Sequence, residues 1–167
     1  SKLVIKSQKP IMLIGSQAII DQLECKKLAS AIYNLNIPTY VSGMARGLLC
    51  NSDLPIFRHE RNKALKESDL VILIGVACDF RLNYGRVINH KAKLISINIS
   101  RNDLYLNRKA TIGILTSPNL FLIRWSNIQE NNYNSKWNSW HNKLKDRNSA
   151  RELEIIQQSN IKTDFIN

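Results

Sequence analysis

The chain has 167 residues, 44% hydrophobic and 22% charged, which suits one domain with a real core. Its formal net charge of +11 favours phosphate-rich or acidic ligands, but the cations are scattered with no run of five, so a dedicated nucleic-acid surface is not expected. The longest apolar run, Leu70–Cys78, is too short to cross a bilayer, and Cys25, Cys50 and Cys78 lack the CxxC spacing of a zinc or redox site and fit a reducing, intracellular compartment.

Ile11–Ile14 is a short apolar run ending at Gly15, as a buried parallel strand would. Leu23, Leu28, Ile32 and Leu35 recur at near-helical spacing, which predicts a helix over Ile19–Leu35, stopped by Asn36 and Pro38. Thr39–Val41 reads as a second strand and Arg58–Lys66 as a charged helix. Leu70–Ile74 is the clearest strand in the chain. Leu94–Ile99 and Thr111–Leu115 follow as strands, with a helical turn at Asp103–Leu106 and a helix from about Asn119 to Ile128. Strands alternating with helices predict an α/β fold with a doubly wound parallel sheet. Composition then shifts. Gln129–Ser135 is polar and reads as a linker, and Trp137–Gln158 as a charged surface or interdomain helix burying Trp137, Trp140 and Leu144 on one face. This divides the chain into a domain over 1–128 and a linker with a helix over 129–167. The first residue is Ser1 rather than methionine, so a piece of a longer protein is expected, and no signal-peptide pattern opens it.

Four strand-end loops are candidates for ligand contact. Gly15, Ser16 and Gln17 follow the first strand, where backbone amides can face a pyrophosphate, though one glycine is not a GxGxxG fingerprint. In Gly43-Met44-Ala45-Arg46-Gly47, two glycines bracket an arginine able to bind phosphate bidentately; the alternative is a tight turn with a solvated arginine. Gly75 to Arg81 follows the central strand. Asp79 and Arg81 there either clamp each other or contact ribose and phosphate. Asn98 and Ser100 close the next strand with neutral groups where dinucleotide folds usually place a carboxylate. His59, His90 and His141 stand apart, without metal-ligand spacing, and read as surface residues. No GxSxG elbow or other nucleophile-and-base set is present, so no catalytic residue is assigned.

At these residues the chain resembles the middle domain of thiamine-diphosphate-dependent enzymes, a family that includes acetolactate synthase, oxalyl-CoA decarboxylase and the 2-hydroxyacyl-CoA lyases. Met44–Leu49, MARGLL, is similar to the MAKGLL loop of the CoA-lyase branch. Ala64–Leu73, ALKESDLVIL, is similar to its ALKxADVVLL. Cys78–Arg86, CDFRLNYGR, is closest to acetolactate-synthase-like proteins of animals, also described as 2-hydroxyacyl-CoA lyases. The resemblance covers about Lys9–Ile128.

It implies a Rossmann-like, DHS-like parallel sheet of about six strands, and a parent that binds thiamine diphosphate and magnesium and makes or breaks carbon–carbon bonds beside a carbonyl. Its partners would be the pyrimidine-binding and pyrophosphate-binding domains of the same chain, in a homodimer or homotetramer, at the endoplasmic reticulum or in peroxisomes. The resemblance also assigns nucleotide contacts (ADP or CoA, or FAD, with some members empty) to Gly15, Ser16, Gln17, Gly43, Met44, Arg46, Gly47, Gly75, Asp79, Arg81, Asn98 and Ser100. Acetolactate synthase has Asp-Ile-Asp where this chain has Asn98-Ile99-Ser100, and Gly-Asp at about Thr116-Ser117. These departures count against FAD and leave a CoA-type nucleotide open. The family's Gly-Asp-Gly magnesium motif and the setting of its activating glutamate are missing, so this chain is expected to bind no thiamine diphosphate and to have no turnover alone. Two other readings are a sirtuin-like NAD enzyme, which needs paired CxxC motifs, and a basic nucleic-acid module, which needs interleaved aromatic and basic residues. The chain shows neither feature.

Overall fold

The structure is a computed structural model that describes residues 2–50, 54–128 and 136–164. Six parallel strands form one sheet in the order β3–β2–β1–β4–β5–β6. They are β1 (Pro10–Ile14), β2 (Thr39–Val41), β3 (Ile56–Phe57), β4 (Leu70–Ile74), β5 (Lys93–Asn98) and β6 (Ile112–Leu115). Every residue of β1 and β4 is buried, because helices cover the middle of a parallel sheet on both faces. This is why their sequences are continuous apolar runs rather than alternating ones. Leu70–Ile74 lies in the sheet's centre, between β1 and β5, as its sequence predicts.

The helices are α1 (Lys2–Lys6), α2 (Cys25–Leu35), α3 (Arg61–Glu67), α4 (Arg101–Leu104), α5 (Pro118–Ile128) and α6 (Asn138–Asp164). Right-handed crossovers put α2 and α3 on opposite faces, and α5 packs on α2. Several boundaries differ from the sequence expectation. The helix expected over Ile19–Leu35 begins only at Cys25, after two 3-10 turns, Ser16–Ile19 and Gln22–Glu24. Leu23, counted in the apolar stripe, is fully exposed. The helix expected from Arg58 starts at Arg61, because Glu60 takes a left-handed conformation (φ +59°) that breaks the pattern. The turn expected at Asp103–Leu106 is α4, two residues earlier. The two-residue β3 and the short α1 carry too few residues to show a period.

Helix α6 docks with its first turns. Trp137, Trp140 and Leu144 are buried in the same apolar cluster as the sheet. The Trp137 indole donates to the Ser7 carbonyl at 3.0 Å and the Trp140 indole to the Pro10 carbonyl at 3.1 Å. Both rings thus bury large apolar surface and still satisfy their N–H. The expected linker at Gln129–Ser135 lies outside the described residues.

Candidate functional site

The strands end level at their C-terminal edge. Ile14 is in register with Ile74, and Ile74 with Ile97, so Gly15, Gly75 and Asn98 follow in a row. The order in which strands are added reverses between β1 and β4: β1 leads outward to β2 on one side, β4 to β5 on the other. Such a switch point is where open α/β sheets hold ligands.

Six of the expected residues meet here. A Cβ on Gly15 would come 2.3 Å from the Gly75 carbonyl oxygen, so the β1 and β4 ends approach as closely as only glycine allows. Gly75 has φ +66°, and a Cβ there would lie 2.7 Å from Gln17 Cβ. Gln17 therefore lies across the end of β4. Its Nε2 donates to Asn98 Oδ1 at 3.0 Å, and its Oε1 accepts from the Ile99 amide at 3.3 Å. The Ser100 amide also donates to Asn98 Oδ1, at 2.9 Å, while Ser100 Oγ caps α4 at the Asp103 amide. Asn98 is fully buried, and its Nδ2 has no acceptor among the described residues. An unmet buried donor of this kind costs about 1–3 kcal/mol. Ser16 Oγ accepts from the Met44 amide at 3.1 Å and joins the first loop to the second.

The second loop is a 3-10 stretch, Gly43–Cys50. Met44 and Arg46 are exposed, and nothing lies near the open side of Gly47. In the third loop Asp79 and Arg81 clamp each other. Arg81 Nη2 is 2.5 Å from Asp79 Oδ2, and the Asp79 carboxylate also caps the turn Phe80–Gly85 through the Arg81 amide at 2.9 Å. The Arg81 hydrogen bond, outweighing the opposing effect of burial, holds the Asp79 carboxyl below its ordinary range and raises the Arg81 guanidinium.

A polar cleft of about 540 Å³ opens at the C-terminal ends of β2 and β3. Arg46 lines it, with four side chains that the sequence reading left out: Arg58, His59, Glu60 and Arg61. Their signal, RHER before a helical run, is hidden because the pattern from Arg58 reads as one continuous helix. His59 is not a solvated surface residue. Its Nε2 is 2.5 Å from Glu152 Oε2, and Asn148 Oδ1 accepts from both the Arg58 and His59 amides. Those partners lie about 90 positions further along the chain, on α6. His141 is likewise half-buried, donating to the Asn36 carbonyl at 3.0 Å and packing on Phe57. Burial lowers its pKa, opposed by that carbonyl. Among the described cysteines Cys78 is buried, which pushes its thiol up to about 11 and leaves it poorly nucleophilic.

Residues 1–124 match the central domain of thiamine pyrophosphate enzymes. The chain belongs to that family. Among relatives of this central domain, 2-hydroxyacyl-CoA lyase 2 of Danio rerio is 34% identical over 167 aligned residues, which take in 98% of this chain and 27% of that protein. The Xenopus laevis protein of the same name is 44% identical over 105 residues, 63% of this chain and 16% of its own length. A probable acetolactate synthase of Mycobacterium bovis is 32% identical over 93 residues, 56% of this chain and 17% of its length. The chain thus spans roughly a sixth to a quarter of these relatives. Gly-Asp-Gly does not occur in the sequence, and no three metal-ligating side chains cluster among the described residues. The groups at the C-terminal end of the sheet that could meet a ligand's polar atoms are the Asn98 donor, unmet among the described residues, and the basic cleft. No described helix is long and apolar enough to cross a membrane.

Proposed function

We propose that this chain is the non-catalytic central domain of a thiamine-diphosphate- and magnesium-dependent lyase or synthase of the 2-hydroxyacyl-CoA lyase or acetolactate synthase kind. The single observation that carries this is the family match over residues 1–124. In that role the domain is a scaffold between a pyrimidine-binding and a pyrophosphate-binding domain of one parent chain, itself a homodimer or homotetramer. Thiamine diphosphate, held by those other domains, supplies a nucleophilic carbon to a carbonyl. This domain contributes position and a nucleotide cradle. Residues 1–128 make up the domain, and 129–167 lead to the next one. The sparse cysteines suit a reducing intracellular compartment, with the parent associated with the endoplasmic reticulum or in the peroxisome.

The cradle is assigned to the loops at Gly15–Gln17, Gly43–Gly47 and Gly75–Arg81 and to the strand end at Asn98–Ser100. The register that aligns these ends supports it, as does the neutral strand end, which repels phosphate less than two carboxylates would. A nucleotide entering between β1 and β4 has to displace the Gln17 side chain from Asn98, and its polar groups then replace those hydrogen bonds.

Calorimetry on the chain tests both halves. ADP or CoA should bind, and thiamine diphosphate with magnesium should not. Micromolar affinity for thiamine diphosphate overturns the non-catalytic assignment. No heat with ADP, CoA or FAD removes the cradle.

A further inference from the structure

We propose that the cleft beyond β2 and β3 is a phosphate site in which the guanidinium groups of Arg46 and Arg61 take the dianion of a terminal phosphate group. This deepens the nucleotide reading and rests on it for the remainder of the ligand. The site is set apart from the glycine-lined switch point, where Gln17 occupies the space over β4.

Charge pairing carries the argument. Five basic side chains line the cleft: Arg46, Arg58, His59, Arg61 and Lys63. Glu60 is taken by Lys63 at 2.8 Å. Glu152, reaching in from α6, is taken by His59 at 2.5 Å and lies 3.7 Å from Arg58. Arg46 and Arg61 are left with no carboxylate among the described residues. Their two positive charges match one dianion, and guanidinium forks bind phosphate oxygens bidentately.

Arg61 is also held in place. Its Nη2 donates to the Arg81 carbonyl at 3.0 Å, which ties the cleft to the loop after β4. Its other N–H groups have no acceptor among the described residues. Burial first, and then the charge of Arg46, lower its pKa, so the pair carries repulsion that an anion relieves. The left-handed Glu60 immediately before it is a costly conformation for a residue with a Cβ, and such strain concentrates at ligand sites. At about 540 Å³ the cleft has the volume of a small-molecule site.

The consequence is selectivity. ADP ends in a β-phosphate that is bonded on one side only, through the anhydride, and carries two charges near neutral pH. FAD has two phosphates, each bonded on both sides, by an ester and by the anhydride they share, and offers no such terminal dianion. Adenosine offers no charge.

The test uses the whole 167-residue chain, its Arg61→Gln and Arg46→Gln variants, and Lys145→Gln as a control on the exposed side of α6. ADP, adenosine and FAD are titrated by calorimetry, and inorganic phosphate by thermal shift against sodium chloride of equal ionic strength. ADP should bind at least about tenfold more tightly than adenosine, and Arg61→Gln should weaken ADP by about 10- to 100-fold. Arg46→Gln, at an exposed position where folding is not at risk, should act in the same direction, and Lys145→Gln should do nothing. Inorganic phosphate should raise the melting temperature of the parent chain and not of Arg61→Gln. ADP binding that neither arginine variant changes overturns the phosphate site and leaves the cradle standing. Phosphate stabilisation lost in Arg61→Gln, with no nucleotide bound, upholds the phosphate site and overturns the cradle. No response to phosphate or to any nucleotide overturns both.

Discussion

The two ends of the sheet are finished in opposite ways. At the N-terminal end, α6 closes the strands with indole donors on the Ser7 and Pro10 carbonyls and an imidazole donor on Asn36. The indoles are buried, the imidazole is half-buried, and all three are paired. At the C-terminal end, glycines, an amide without an acceptor and a cleft with two arginines without a carboxylate leave groups unmatched among the described residues. One end is built for stability. The other gives up stability to keep polar groups ready. Helix α6 touches both. From Trp140 to Glu152 it rises about 18 Å, past Glu67 of α3, which it holds with Lys143 at 2.8 Å and Arg147 at 2.6 Å, to His59 beside the cleft.

The contrast breaks most directly at Trp140. Trp140→Ala should cost about 3–5 kcal/mol, from lost area, a cavity and an orphaned Pro10 carbonyl. Urea denaturation monitored by circular dichroism checks this, and a loss under about 1 kcal/mol means that α6 is not a structural part of the domain.

At the opposite end, two glycine substitutions should separate. Gly15→Ala drives a methyl into the Gly75 carbonyl and should cost about 1–3 kcal/mol. Gly47→Ala meets nothing within 4 Å and should be neutral or stabilising by up to about 1 kcal/mol. Equal melting temperatures for the two variants would contradict the close approach of β1 and β4.

Glu67 gives a smaller effect. Burial alone would raise its carboxyl, but the hydrogen bonds from Lys143 and Arg147 hold it below its usual value. Glu67→Gln should cost roughly 1 kcal/mol, since the three side chains keep partial access to solvent. A double-mutant cycle with Arg147→Met should recover most of that as coupling.

The smallest effect is a pH slope. Burial lowers the His141 pKa from 6.5. The unfolded chain therefore binds a proton before the folded one does. His141 supports the fold fully above about pH 6.5, and that support is lost as pH falls from there through the folded-state pKa. Its slope is at most about 1.4 kcal/mol per pH unit. His141→Gln should flatten the stability profile between pH 7.5 and 5.5. Asp79 and Glu67, with lowered pKa values, act in a separate window at lower pH, where stability falls as they are protonated. An unchanged profile in the histidine variant would mean that His141 is solvated.

Much of the fold was legible because it rests on local pattern. A run such as LVILI can be only a strand covered on both faces or a short buried helix segment. The charged, turn-rich flanks decide for the strand. The spacing of Trp137, Trp140 and Leu144 foretold one buried helical face. The glycine loops fell at strand ends, as their sequences implied. Less legible was anything made by a partner far along the chain. Nothing in the neighbourhood of Gln17 shows that its side chain will bridge to Asn98, nor does the HER segment show that Glu152 will meet His59 or that Arg61 will reach Arg81. The two-residue β3 exists because β2 offers an edge to pair with, not because Ile56 and Phe57 have a period of their own.

By itself, then, the sequence determined the class of fold, the central strands, the family and the absence of the magnesium motif. Each depends on residue identity and short-range spacing, which a chain carries before it folds. The tertiary structure alone decided which arginines remain without a carboxylate among the described residues, that Asp79 and Arg81 satisfy each other, and that Gln17 covers the switch point. Those are questions of pairing across the molecule, and charges are paired or left over only once distant segments have been brought within a few ångströms.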